Sequence, residues 1–395
     1  MAEWIECTLN DLGEIVGGAT PSTQREDYYG GDIPWITPKD LSSLQGRYIS
    51  RGERNITKNG LASCSAQLMP PKTVLFTSRA PIGYVAIAEQ TVCTNQGFKS
   101  IVPNAKVNPL FLYYLLVYNK ETIEAMGSGT TFKEISGKAM RTVKVRIPSD
   151  MQSQIKIASL LDSIDSKIEA NAKLNDNLEQ QAQSYFQELF VDNADPEWTT
   201  GTISDLGAVV GGSTPSKAKP EYYTESGIAW ITPKDLSINK SKFVSHGEND
   251  ITELGLKNSS AAIMPEGTVL FSSRAPIGYI AIAAGEVTTN QGFKSVVPKP
   301  EIGTPFVYFF LKNTLPVIEG MASGSTFKEV SGSTMKNVPA VIPDAETLAK
   351  FSDFCAPIFA QQRILEEQNQ SLATLRDNLL PKLMSGEIDV SAVQL

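Results

Sequence analysis

Apolar positions along the chain change rhythm twice, and the same changes then recur. Residues 74–76 and 84–88 are short apolar runs bounded by Pro and Gly, and 98–102 is a third; all three predict strands. A helix is predicted next, with Asn108 as cap, Pro109 at its first position and LFLYYLLVYN following. In the second occurrence Thr304 and Pro305 take these places, and Pro316 is expected to kink or end the helix. The rhythm then becomes purely helical. Residues 149–190 contain no Gly or Pro, and Ser149 with Gln152 has the pattern of a capping box. Leu161, Ile164, Ile168, Leu178, Ala182, Tyr185 and Leu189 keep a spacing of three and four. Phe351, Phe354, Ile358, Leu365, Leu372, Leu375 and Leu379 do the same later. Such narrow stripes are coiled-coil seams, and Asn171, Asn175, Gln361 and Gln368 interrupt them as candidates for fixing register. Forty helical residues would span about 60 Å, a spacer's length.

Self-comparison explains the recurrence. LNDLGEIVGGATPS at 9–22 returns as ISDLGAVVGGSTPS at 203–216, and WITPKDL is identical at 35–41 and 230–236. VLFTSRAPIGYVAIA at 74–88 returns as VLFSSRAPIGYIAIA at 269–283, TNQGFKS is identical at 94–100 and 289–295, and GSGTTFKEISG at 127–137 returns as ASGSTFKEVSG at 322–332. The offset is 194 residues at the start and 195 after one insertion. This is far longer than a solenoid repeat, so each copy is a domain. The expected organisation is a mixed α/β (α+β) domain at 1–148, a spacer helix at 149–191, a second domain with a short linker at 192–343, and a second helix with tail at 344–395.

The chain of 395 residues is 41% hydrophobic and 20% charged, as expected of globular domains. No apolar run approaches the roughly 18 residues of a membrane span, and the first residues are acidic, so a cytoplasmic protein without membrane contact is expected. The net charge of −8 is unevenly spread: +3 over 1–148, −6 over 149–196, −1 over 197–343 and −4 over 344–395. The acid belongs to the predicted helices, which leaves the domains electrostatically open to nucleic acid. Acidic outer faces on those helices are either solvated surface or a dock for a basic partner. Cys7, Cys64, Cys93 and Cys355 are too scattered for a metal site, and a single histidine, His246, excludes a zinc site or Ser-His-Asp apparatus repeated in both copies. No Walker-A loop is present, and GGATPS and GGSTPS lack the third glycine of a dinucleotide fingerprint. Nor is there an NPPY or DPPY methyltransferase sequence, and Asp40 and Asp235 are single acids, too few for metal-assisted phosphodiester chemistry. The pattern favours binding over catalysis.

IPWITPKDL, SSRAPIGYIAIA, TNQGFKS and SGSTFKE in fixed order, in two domains each followed by a long helix, resemble the specificity subunits of type I restriction–modification enzymes. The resemblance spans essentially the whole chain. It implies two target-recognition domains held apart by an antiparallel coiled coil with pseudo-twofold symmetry, each reading half of a split site in double-stranded DNA. It also implies no catalysis and no cofactor in this chain. S-adenosylmethionine comes with the methyltransferase (modification) subunits, expected to be two, which modify adenine. ATP and Mg come with the restriction and translocase subunits. Two alternatives stand beside it: a specificity subunit whose partner fuses methyltransferase and nuclease, and a protein-binding repeat scaffold that never touches DNA.

Candidate DNA contacts follow. Arg79 and Arg274 stand between a strand and a proline turn, placed for phosphate or guanine, or else for an internal salt bridge. Lys39, Lys99, Lys133, Lys234, Lys294 and Lys328 are candidate phosphate contacts or solvated lysines. Gln96 and Gln291 carry the amide that pairs with adenine, or are structural amides. Some shared motifs can equally face partner subunits. Base discrimination is sought where the copies disagree, at 42–68 against 237–263. There Arg47 becomes Lys242, Arg51 becomes His246, Arg54 becomes Asn249 and Lys58 becomes Glu253, by specificity divergence or by surface drift. Trp35 and Trp230 are assigned to packing, and Gly83, Gly97, Gly278 and Gly292 to turns needing unusual backbone angles.

Overall fold

The computed structural model describes residues 2–79, 81–128, 133–324, 328–391 and 393. They form two units, 1–170 with 369–395, and 171–368. Each unit therefore holds one globular repeat, part of the long helix that follows it and part of the other long helix.

In the first unit a five-stranded sheet runs in the order Gly13–Gly17, Lys99–Pro103, Val74–Phe76, Val85–Ala88, Tyr48–Ile49. Its neighbours are antiparallel except the last pair, Tyr48 opposite Ile87. The central strand shows why the apolar runs were unbroken. Val74 and Phe76 enter a core with Phe111, Leu112 and Leu115 of the helix Pro109–Tyr118, whereas Leu75 enters another with Ile36, Met69 and Phe98. Successive side chains of a strand point to opposite faces, and here both faces are covered. A second sheet pairs Tyr29–Ile36 with Asn55–Ile56 and, in parallel, with Cys93–Thr94. Trp4–Thr8 pairs with Lys144–Pro148. The second unit repeats the five-strand order with Gly207–Gly211, Lys294–Pro298, Val269–Ser273, Ile277–Ala283 and Phe243–Val244.

Asn108 caps its helix as expected, its Oδ1 accepting from Leu110 N and Phe111 N. Pro316 does not end its helix: Thr304–Met321 continues through it. The break falls in the copy without the proline. There Asn119 leaves helical angles, and its side-chain amide donates to Leu115 O at 2.8 Å, competing with the backbone ladder. Gly83 and Gly278 have φ of +92° and +94°. Gly97 and Gly292 do not need unusual angles. They are glycine because a Cβ would lie 2.9 Å from an Asn95 or Asn290 side-chain oxygen, with Pro38 or Pro233 equally close.

The long helices span Met151–Gln187 and Ala345–Ser385. Asp150, not Ser149, caps the first, accepting from Ser153 N at 2.8 Å, because Ser149 N is engaged by Glu3 O. Asp344 caps the second through Thr347 N. Each unit contains an antiparallel helix pair. In the first, Asp165 meets Arg376 at 2.9 Å, Ile168 O accepts from Asn369, and Leu161 shares a core with Leu383 and Met384. In the second, Ala182 and Phe186 share a core with Phe351, Cys355 and Ile358. Asn171 donates to Gln368 at 3.3 Å, and Asn175 O accepts from Gln362, so Asn171, Asn175 and Gln368 do sit at the pairing. The seam is displaced in the second helix, where Phe354 and Leu375 are 39% and 47% exposed. Gln361 is exposed, and the buried amide is Gln362. The physical reason is that each helix packs on its own domain as well as on the other helix, which widens and rotates the buried stripe beyond a strict two-helix seam.

Candidate nucleic-acid interface

The identical WITPKDL segment builds a local frame. Trp35 and Trp230 are both 6% exposed, and their Nε1 donates at 3.0 Å to Ala19 O and Ser213 O. Tyr29 and Tyr223 pack edge-on against these indoles and donate to Pro21 O and Pro215 O. The TPS loop of each copy is thereby pinned at two points. Thr37 and Thr232 cap the next helical turn in reciprocal boxes with Asp40 and Asp235. The second oxygen of each aspartate accepts from Glu53 N (2.8 Å) or Glu248 N (2.9 Å). Both oxygens of each acid are thereby engaged in holding the local backbone. They tie the invariant frame to the stretch where the copies disagree. Gly52 and Gly247 permit the crossing, since a Cβ would stand 2.7 or 2.5 Å from the tryptophan carbonyl.

On this frame the second unit carries a groove of about 680 Å³ lined by Lys217, Lys234, Asn249, Arg274 and Gln291 over Tyr223 and Trp230. Gln291 is exposed, and its carbonyl accepts from Thr214 Oγ1, as Gln96 accepts from Thr20. Lys234 reaches Glu248 at 2.5 Å on the surface. Arg274 Nη1 lies 3.6 Å from Glu329, whose other oxygen is 3.7 Å from Lys294. Lys294 and Lys99 are mostly enclosed, and burial lowers their pKa, partly restored by Glu329 and Glu134. Neither is a freely solvated lysine, and Lys294 shares Glu329 with Arg274. Arg79 pairs with Glu134 through the backbone in the same way as Arg274 with Glu329.

The first unit presents different relief on the same frame. Arg54 lies over the Tyr29 ring at 4.2 Å, and two hollows of about 490 and 790 Å³ flank Arg51 and Glu53. Lys39, which reaches Glu53 at 2.6 Å, lines the smaller hollow. Asn249 replaces Arg54 in the second unit with a shorter side chain, and the space beside Tyr223 is open groove. His246 is exposed, with Nδ1 3.6 Å from Asp250. Lys58 is exposed at the start of the helix Lys58–Ala62, away from these hollows. Lys133 and Lys328 are exposed beside 129–132 and 325–327, the parts of the SGTTFKE and SGSTFKE motifs that lie outside the described residues.

Two sequence candidates are corrected. Arg47 is 4% exposed, with Nη2 2.9 Å from Asp162 and from Ser166 Oγ, and Nη1 3.0 Å from Glu169, all on the first long helix. Lys242 is 7% exposed and donates to Glu179 (2.7 Å) and Gln362 (2.9 Å), with its ammonium 3.5 Å over the Phe359 ring. Neither is available to DNA. Each anchors its domain to the helices, because a cation this deeply enclosed is stable only with acids placed around it. Burial opposes charge at both ends of the second cluster. Lys242 and Lys312 nevertheless hold Glu179 at about 2, while Lys242 is brought down to about 8. Both stay ionised at neutral pH. The sequence reading missed these helix partners, although Asp162, Asp165 and Glu169 fall on one helical face opposite a residue that is basic in both copies. It also missed Thr20, Thr214, Tyr29 and Tyr223, which the shared TPS and YY text signalled, and Lys217, which has no basic counterpart in the first copy.

Among the described residues no cluster of His, Cys, Asp or Glu could hold a metal ion, and no helix is long and apolar enough to cross a membrane. The four cysteines are free, and burial pushes the Cys93 and Cys355 thiols up to about 12.

Comparison with known proteins agrees with this construction. The type I restriction modification DNA specificity domain matches twice, at residues 1–180 and 196–375. The MjaIX type I restriction enzyme specificity subunit of Methanocaldococcus jannaschii is 32% identical, over 98% of this chain and 94% of its own length. The HindI specificity subunit of Haemophilus influenzae is 25% identical, over 74% of this chain and 80% of its own. The crystal structure of the type I restriction–modification S subunit from M. genitalium shares the fold, with a TM-score of 0.62 at 18% identity over 97% of this chain and 96% of that one. Two matched domains on duplicated frames, each with its anchored helix, place the chain in the type I restriction–modification DNA specificity family, as a non-catalytic subunit that recognises a DNA target.

Proposed function

We propose that each unit reads one half of a bipartite duplex target through the surface framed by WITPKDL, and that the chain brings methyltransferase and restriction subunits to that target. One observation carries this reading: Lys234, Asn249, Arg274 and Gln291, taken from four separate sequence segments, converge on one groove. Cations suited to phosphate surround amides suited to adenine. The first unit sets Lys39, Arg51, Arg54, Arg79 and Gln96 on the matching frame, with Arg51 and Arg54 suited to guanine. The half-sites are then similar and inverted, sharing what Gln96 and Gln291 read and differing where Arg51 and Arg54 face His246 and Asn249. In this reading the helix pairs act as a ruler for the unread spacer. Two methyltransferase subunits supply S-adenosylmethionine, and the restriction subunits supply ATP and Mg.

Mapping methylated adenines in host DNA with and without the chain tests this. The expected result is one bipartite motif with related, inverted halves that vanishes when the chain is removed. Unrelated half-sites would refute the shared frame, and an unchanged methylome would refute DNA targeting.

A further inference from the structure

The two anchor clusters are built from different charges, although the helices that carry them are equivalent. Asp150 and Asp344 cap the helices at corresponding points, an offset of 194. The same offset pairs the buried Ile157 with Phe351, Leu161 with Cys355 and Asn171 with Leu365. It also places Arg376 at the position of Ala182, and Glu179 at that of Ala373.

In the first unit Arg47 and Asp165 are completed by the other repeat's helix. Arg376 donates to Asp165 at 2.9 Å, and Tyr114 donates to the same carboxylate at 2.7 Å. Two guanidiniums thus face the carboxylates of Asp162, Asp165 and Glu169. In the second unit Lys242 and Lys312, 2.7 and 2.5 Å from Glu179, are again completed by the other repeat's helix, while Glu366 accepts from the backbone of Lys242 and Phe243.

Substituting like for like breaks both clusters. Were the first repeat's helix to pair with a copy of itself, Ala182 would replace Arg376 and Glu179 would replace Ala373. Arg47 alone would then face Asp162, Asp165 and Glu169, with a further acid, Glu179, added on the opposing helix. Were the second repeat's helix to pair with a copy of itself, Ala373 would replace Glu179 and Arg376 would replace Ala182. Lys242, already against Phe359, and Lys312 would then lose their shared carboxylate and gain a third cation. An uncompensated buried charge is among the costliest defects a packed interface can hold.

We infer that the helices form a heterotypic recognition surface: each repeat's helix accepts the helix of the other repeat and rejects a second copy of its own. Duplication alone would have left a surface that fits itself. The divergence at 179, 182, 373 and 376 restricts pairing to unlike halves, so that every assembled pair carries two different readers.

The test starts from the full chain with a protease site in the link at 192–198, cut after folding. The cut halves are exchanged in moderate denaturant, returned to native conditions and weighed by native mass spectrometry. Unlike pairs are expected, with like pairs below about one in a hundred. Glu179→Ala together with Ala182→Arg gives the first helix the second helix's pattern, and should make like pairs of the first half predominate over unlike pairs, in which Lys242 and Lys312 have lost Glu179. Statistical mixing of the unaltered halves, or no gain of like pairs in the variant, overturns the inference. If the cut halves do not exchange, the uncut chain decides. Glu179→Arg and Arg376→Glu should each lower the melting midpoint by about 5 °C or more, and unchanged midpoints overturn it.

Discussion

The stretch from residue 47 to 54 and its counterpart from 242 to 249 contain substitutions of two kinds that look alike in sequence. Arg47 against Lys242 lies inside, gripped by helix carboxylates, whereas Arg51 against His246 and Arg54 against Asn249 lie outside on the proposed reading surface. Divergence between duplicated domains therefore marks two processes. One retunes an anchor to a helix that has itself changed, and the other alters what the surface offers a ligand. Burial separates them, and the separation falls within a few residues of chain.

Breaking the inner kind should cost most. Arg47→Ala leaves Asp162, Asp165 and Glu169 against Arg376 alone, and a broken buried pair costs about 3–5 kcal/mol. For a unit of this size that lowers the melting midpoint by about 10 °C, to be read by calorimetry. Lys242→Ala should act similarly. Acid gives the same comparison a pH signature. Glu179 has an ordinary value of 4.5 and is held at about 2 in the folded chain, so its stabilisation is complete above 4.5 and is lost as pH falls towards 2. Its size at neutral pH is roughly 3 kcal/mol. Glu179→Gln should lower stability at pH 7 and flatten the loss between pH 4.5 and 2 in denaturant titrations; an unaltered pH profile would remove Glu179 from the anchor.

The outer kind should leave stability alone. Gln291→Ala is expected to weaken discrimination at one base pair of the target by about 1–3 kcal/mol, measured by competition binding of the assembled enzyme, with no change in melting. Lys234→Ala should have the smallest effect. It weakens binding alike for matched and mismatched duplexes and reduces the slope of log affinity against log salt by about one. A midpoint that falls for either variant would move that residue to the structural class.

Much of this was legible in the sequence. The duplication, the strands at 74–76 and 84–88, the Asn108–Pro109 helix start and the presence of a seam on each long helix follow from spacing, because local periodicity and capping are short-range properties, whereas the antiparallel pairing came from the family resemblance. What failed depended on tertiary neighbours. Ser149 looks like a cap until Glu3 engages its amide, and Gln361 looks inward until the domain rotates the buried stripe to Gln362. Arg47 looks like a surface arginine because its carboxylates lie more than a hundred residues away. Pro316 fails as a helix stop because its segment packs along Phe306, Phe309 and Ile318, and burial outweighs one missing hydrogen bond. Of the groove, Arg274, Gln291, Lys234 and Asn249 were each named from sequence, but only folding shows that they meet.

The central claim, that reading lies in the outer part of the divergent stretch, is most directly tested by exchanging residues 48–55 with 243–250 while Arg47 and Lys242 stay in place. The readout is the methylation motif of host DNA carrying the exchanged chain. The account predicts that the differing bases of the two half-sites trade places while the spacer between them keeps its length. An unchanged motif from a folded, active assembly would contradict it.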